Sequence, residues 1–256
     1  MLIILSPTKT IDIQAKSAIS NFTLPEHTGK SKILVDKLKE KTVRELAELM
    51  NISPKLALLN FERFQQWSTN FTRKNSLQAI FAYKGEVFHG LDAQTLTAPD
   101  ISYAQKHLVI LSGLYGTLKP LDMIQPYRLE MGLRWELPGF KNLYDFWKET
   151  ITNSIKKAIV KQGDNVLVNL ASNEYFKSIN VKNLNAEIIT PEFKEYKNGS
   201  YKTVTIYTKK ARGLMTRFII TNRIGNPGNL KLFDYDGYYY NDRLTENENN
   251  PVFTRN

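Results

Sequence analysis

Three stretches of the chain are apolar almost without interruption: Leu2–Leu5, Leu108–Leu111 and Val166–Leu170. Each runs straight into a polar loop, the pattern of strands covered on both faces. Glu187–Thr190, Tyr201–Tyr207 and a last short run, Val252–Thr254, also read as strands. Asn198-Gly199 ahead of Ser200-Tyr201 is a hairpin signal, because both central positions of a type I′ turn need positive φ. Between these runs the apolar positions recur at helical spacing, predicting helices over 30–40, 42–50, 54–67, 142–161 and 209–222. No repeat and no Ser/Gly- or Pro-rich linker interrupts the pattern. It predicts one α/β domain over residues 1–256, with a mixed sheet flanked by helices.

Composition narrows the chemistry. The chain holds 256 residues, 42% of them hydrophobic, and no cysteine. Disulfides, thiolate metal sites, iron–sulfur clusters and cysteine nucleophiles are excluded. His27, His89 and His107 stand apart from one another, so no metal and no cofactor is expected. The first apolar run, Met1–Leu5, is too short for a signal or a membrane span and lacks a basic flank, so a cytoplasmic location and no membrane partner are expected. Net charge is +10, and eight cations fall in the acid-free span Tyr196–Phe233. A local excess of that size points to a polyanion.

Two helical regions fit such a partner. Thr42-Val43-Arg44-Glu45 is a capping box, and Ser53-Pro54 restarts a helix after a tight connection. Leu49-Met50-Asn51-Ile52-Ser53-Pro54-Lys55-Leu56-Ala57 resembles a helix-hairpin-helix motif, with Asn51 and Ser53 standing where that motif has glycines. Asn51, Ile52, Ser53 and Lys55 would meet a phosphate through backbone N–H groups, the helix dipole and one ammonium. An ordinary corner between two helices is the plainer alternative. In the second region Ala211, Leu214, Met215, Phe218 and Ile219 form a buried face, leaving Lys209, Lys210, Arg212, Arg217 and Arg223 off it. Gly213 lies among them, where glycine costs about 1 kcal/mol against alanine; close approach of a phosphate backbone or of another chain segment would explain it.

Three strand-to-loop transitions carry the remaining polar chemistry. They are Ser6-Pro7-Thr8-Lys9-Thr10, Ser112-Gly113-Leu114-Tyr115-Gly116 and Ala171-Ser172-Asn173-Glu174-Tyr175. If the strands are parallel neighbours, Lys9, Ser112 and Asn173 should share one pocket, because ligands collect at strand carboxyl ends. Ser6, Thr10, Gly113, Tyr115 and Tyr127 would line it, with Arg128 and Glu130 nearby. A partly desolvated Lys9 could then serve as nucleophile or base, with Glu130 or Glu174 as its partner charge. The plainer alternative is that these groups cap strands and tie loops. No Walker A loop, GxGxxG or GxSxG motif is present.

The blocks Ser6–Thr10, Leu111–Gly116, Pro126–Gly132, Asn142–Trp147, Asn169–Phe176 and Lys209–Gly213, in this order, resemble the YaaA family of peroxide-stress proteins. The resemblance implies a cytosolic bacterial protein that protects against hydrogen peroxide, linked to lower free iron and to DNA repair. It also implies a single α/β domain with a basic cleft and a helix-hairpin-helix, binding double-stranded or branched DNA without sequence specificity. It carries over no catalytic residue. The second hypothesis is an enzyme acting on a nucleobase or nucleotide, with Lys9, Arg128, Glu130, Asn173 and Glu174 meeting in a cleft around a small nucleotide-like ligand.

Overall fold

In the computed structural model, which describes residues 1–17 and 19–256, the chain opens with β1 (Leu2–Leu5), β2 (Thr10–Ile11), α1 (Thr28–Lys39), α2 (Val43–Met50) and α3 (Pro54–Gln66). Next come β3 (Leu77–Gln78), α4 (Ala79–Ala82), β4 (Tyr83–Lys84), α5 (Glu86–Leu91), α6 (Ala98–His107) and β5 (Leu108–Ser112). β6 (Gly116–Leu118), β7 (Met123–Ile124), α7 (Leu143–Gln162), β8 (Val166–Leu170), α8 (Asn173–Phe176) and β9 (Glu187–Ile189) follow. The chain closes with β10 (Glu192–Lys197), β11 (Ser200–Lys202), α9 (Thr205–Thr221), β12 (Tyr239–Tyr240) and β13 (Val252–Arg255).

The three apolar runs are neighbours in one sheet of order β6-β5-β1-β8-β9. β5, β1, β8 and β9 run parallel, and β6 returns antiparallel at the edge. Ile3 of β1 sits opposite Leu108 on one side and Val168 on the other. Every residue of β1, β5 and β8 is buried, which is why these strands lack the polar alternation of a one-sided sheet. Asn169 is tolerated inside β8 because its amide donates to Thr190 Oγ1 at 3.3 Å and its oxygen accepts from Ala171 N at 3.1 Å.

A second mixed sheet, β11-β10-β13-β12, joins segments far apart in sequence: β10 pairs in parallel with β13. The β10–β11 hairpin turns on Asn198 (φ 52°) and Gly199 (φ 80°), the two positive angles a type I′ turn requires. One connected hydrophobic core extends from Met1 to Phe253. The fold is mixed α/β, with helices flanking mixed sheets.

The expected strand Tyr201–Tyr207 is a correction. Its strand part stops at Lys202, and α9 begins at Thr205. Thr, Val, Ile and Tyr favour strands by propensity, but the buried face Thr208, Ala211, Met215 and Ile219 has helical spacing. Ile206 and Tyr207 are exposed, so their apolar character carries no burial information. The expected helix pair at 42–67 does form. Thr42 and Glu45 close the capping box, Asn51 takes a left-handed φ of 49° that ends α2, and Ser53 Oγ accepts from Leu56 N at 3.4 Å with Pro54 at the first helical position. Gly213 is explained by a chain segment: α9 crosses α5 there in backbone contact. Among the described residues no helix is long and apolar enough to cross a membrane.

Candidate functional site

Because β1, β5 and β8 are parallel, their carboxyl ends open on the same side of the sheet. The loops after β1 and β8 meet directly: Ser172 N donates to Ser6 Oγ at 2.8 Å, and Ser6 Oγ donates to Ser172 Oγ at 3.2 Å. Around this junction lies a cavity of about 300 Å³. Ser6–Thr10 form one wall, Lys84–Val87 at the start of α5 another, and Tyr127–Glu130 a third. Glu174, Tyr175 and, from α9, Lys209 and Arg212 complete it.

The loop after β5 supports the cavity from behind instead of entering it. Ser112, Gly113 and Tyr115 are buried and line none of it, which corrects the expectation that Ser112 faces Lys9. Ser112 Oγ accepts from Leu114 N at 3.2 Å and Tyr115 N at 3.0 Å, filling both lone pairs. Its own proton therefore goes to Tyr127 Oη at 2.6 Å, and the Tyr127 and Tyr83 hydroxyls share a hydrogen bond at 2.7 Å. Burial pushes the Tyr127 phenol up to about 12 and the Tyr83 phenol well above its ordinary value, so both act as neutral hydroxyls. Tyr115 Oη accepts from Trp67 Nε1 at 3.0 Å and from Gln125 N at 3.2 Å. A Cβ at Gly113 would stand 2.1 Å from the Leu129 carbonyl oxygen, so this loop presses on the backbone that presents Arg128 and Glu130.

Most cavity charges are matched. Glu130 receives Lys9 at 3.0 Å and Arg128 at 2.9 Å, and Lys84 meets Asp12 at 2.5 Å. Glu174 accepts from Gly132 N at 3.0 Å, fixing the end of the 126–132 segment. Lys9 is 60% exposed in its side chain and ion-paired, not desolvated as a catalytic lysine would need. Asn173, one residue before Glu174, is exposed and lines no part of the cavity. It drops out of the expected constellation, whereas Ser6, Lys9, Thr10, Tyr127, Arg128, Glu130 and Glu174 come together.

The basic helix divides in the same way. Lys210 pairs with Asp236 at 3.2 Å. Arg217 donates to the carbonyls of Leu91 and Asp92 at 3.1 and 2.9 Å. Arg223 pairs with Asp100 at 2.8 Å and lies over the Tyr103 ring at 4.8 Å. These three cations, expected on a polyanion surface, are engaged in holding α9 to its neighbours. Lys209 is exposed at the cavity and Arg212 half-buried in it, and neither has a hydrogen-bonding or ionic side-chain partner among the described residues. Burial pushes the Arg212 guanidinium below the usual arginine range.

The helix pair stands apart. No residue of 42–66 lines the cavity. Asn51, Ser53 and Lys55 are exposed, Ile52 is half-buried, and Lys55 has no ion-pair partner among the described residues. Sequence reasoning missed Lys84, Gly85 and Glu86. The available signal was a glycine between two opposite charges at the head of a short helix; Gly85 has φ 145° and packs against Thr8. Among the described residues no group of three His, Asp or Glu could hold a metal ion.

The family described as peroxide stress protein YaaA matches residues 1–244 of this chain. A UPF0246 protein of Aliivibrio fischeri (strain MJ11) is 52% identical over 240 residues, covering 94% of this chain and 93% of its own length.

Proposed function

The chain belongs to the family of peroxide stress protein YaaA, and from that footing we propose that it acts in the cytoplasm by binding double-stranded or branched DNA through backbone phosphates, without sequence specificity. One observation carries this reading. Every other cation of the cavity has a carboxylate, yet Lys209 and Arg212 have none among the described residues. Unmatched positive charge at the mouth of a cleft favours a polyanion. The turn Asn51-Ile52-Ser53 with Lys55 is a second phosphate contact in this proposal, where α3 begins and the helix dipole favours an anion.

The test is a fluorescence-anisotropy titration of labelled duplex across a salt series. Each phosphate neutralised contributes about 0.9 to the slope of log K against log salt. Lys209→Glu and Lys55→Ala should each weaken binding equally across unrelated sequences and lower that slope by about one contact. Unchanged affinity in both variants removes these residues from the interface.

The cavity also favours a second reading, an enzyme acting on a nucleobase or nucleotide, because Glu86, Glu130 and Glu174 line it together with Lys9 and Arg128. Lys9→Met keeps the bulk of the stem and removes the charge. Under this reading Lys9, exposed and ion-paired, contributes a charge that binds the substrate, so the variant folds, binds DNA and fails to restore peroxide resistance to a deletion strain; full rescue removes Lys9 from the site.

A further inference from the structure

Arg212 presents a guanidinium that the fold leaves without a counter-ion. It projects from α9 among the cavity residues, half-buried, and no carboxylate or carbonyl among the described residues accepts from it. Partial burial already lowers this guanidinium below the usual arginine range, so a bound anion would offset part of its lost hydration. Neighbouring arginines show that this region can satisfy such groups, as Arg217 of α9 does on two carbonyls and Arg223, just past the end of α9, does on Asp100.

We propose that the cavity binds a single nucleotide, with its phosphate on Arg212 and its N–H and O–H donors on the carboxylates of Glu86 and Glu174. The volume, about 300 Å³, is at the low end of small-molecule sites and cannot admit a duplex. The charges inside it are mixed. Glu130 is neutralised by Lys9 and Arg128, whereas Glu174, with one oxygen on Gly132 N at 3.0 Å, and Glu86, with one oxygen 3.4 Å from His89 Nδ1, each keep a second oxygen as an acceptor in the wall. A bare phosphate would face those carboxylates with like charge. A nucleotide answers both, with an anion at one end and hydrogen-bond donors at the other. Planar guanidinium–phosphate pairing also suits an anchor that must fix orientation. This inference rests on the nucleic-acid reading only in its choice of nucleotide. The same chemistry could arrive as a free mononucleotide or as one nucleotide extruded from a DNA strand.

The experiment uses the full chain and its Arg212→Gln and Arg212→Lys variants. Calorimetric titrations take deoxynucleoside monophosphates, inorganic phosphate and the matching nucleosides; anisotropy titrations compare a matched duplex with one carrying a bulged nucleotide. Thermal melting should place Arg212→Gln at or above the parent, since an unpaired charge has been removed; a fall would make Arg212 a structural residue and overturn the proposal. A free-nucleotide site predicts that monophosphates bind more tightly than phosphate or nucleoside, lose about tenfold or more in Arg212→Gln and recover in part in Arg212→Lys. An extruded-nucleotide site predicts no such preference among free ligands, but tighter binding of the bulged duplex, erased in Arg212→Gln. If neither arm depends on Arg212, the proposal fails, even where matched duplex binds normally. If monophosphates depend on Arg212 while no duplex binds, the backbone reading fails and the nucleotide site stands.

Discussion

Gly213 of α9 lies against Val87 of α5 so closely that a Cβ at position 213 would stand 1.8 Å from the Val87 carbonyl oxygen. The contact is reciprocal, since a Cβ at Gly90 would meet the Lys210 carbonyl oxygen at 2.2 Å. Val87 belongs to the cavity wall, and Arg212 immediately precedes Gly213, with Lys209 one helical turn before it. The two helices can therefore deliver both walls only at glycine separation. Gly213→Ala should destabilise the protein by about 1–3 kcal/mol or more, because backbone on both sides must shift. Urea unfolding checks the magnitude, and Gly29→Ala, in α1 with nothing within 4 Å and no positive φ, serves as the comparison for lost glycine alone.

The hydroxyl chain behind the cavity makes a directional prediction. Ser112 donates to Tyr127, and Tyr127 shares a second hydrogen bond with Tyr83, with both of Ser112's lone pairs taken by backbone N–H groups. Tyr127→Phe strips the acceptor from a buried Ser112 hydroxyl and the partner from Tyr83. Tyr83→Phe removes only the last hydroxyl of the chain. The first should cost about 1–3 kcal/mol and the second less, with a double-mutant cycle showing coupling. Equal single-variant losses that simply add would contradict a linked chain with Tyr127 at its centre.

Several of these relationships could be read from the sequence, for definite reasons. β1, β5 and β8 are legible because both faces are covered, so their apolar runs are continuous; their shared orientation then gathers Lys9, Tyr127, Arg128, Glu130 and Glu174. The charge of the acid-free segment overstates its free cations, because several of their partners lie outside it. Asp100 neutralises Arg223 and Asp236 neutralises Lys210, while the carbonyls of Leu91 and Asp92 hold Arg217. A local window cannot see these. Ser112 and Asn173 follow strands of the same sheet as Lys9, yet one turns into the core and the other to solvent, a choice made by backbone donors and not by residue type. The β10–β13 pairing is hidden by the long stretch of chain between its strands.

Asp122 carries a pH signature. It is buried, accepts from Thr23 Oγ1 at 2.5 Å and from Lys119 N at 2.7 Å, and burial pushes its carboxyl up to about 6 from an ordinary 3.8. The folded state thus binds this proton more tightly than the unfolded state. Below about pH 4 the group is protonated in both states and imposes no penalty. Stability then falls as pH rises from about 4 to 6, by about 3 kcal/mol in all, and the loss is complete above that. Asp122→Asn should flatten this limb of the stability–pH curve and be neutral or stabilising at pH 7. Urea unfolding of both proteins at pH 4, 5, 6 and 7 measures it, and a parallel pair of curves would show that Asp122 does not titrate in this range.

Glu130 separates the two functional readings most directly. Its carboxylate holds Lys9 at 3.0 Å and Arg128 at 2.9 Å, in a cavity where Arg212 already lacks a partner. Glu130→Gln keeps the shape of the side chain and removes one negative charge. Arg128 is 17% exposed in its side chain, so losing its ion pair should lower stability by about 1–3 kcal/mol, read by thermal melting. If the site serves to hold phosphate, two further cations become available, and duplex affinity should rise at low salt while the salt slope steepens. If the site is an enzyme in which Glu130 holds the charge of Lys9, the folded variant should bind DNA at least as well as the parent and yet fail to restore peroxide resistance. Tighter binding with full rescue assigns Glu130 to charge balance alone. Weaker binding from a folded variant would mean that Glu130 orders Lys9 and Arg128 for their phosphate, so that alignment of those two cations, and not net charge, limits affinity.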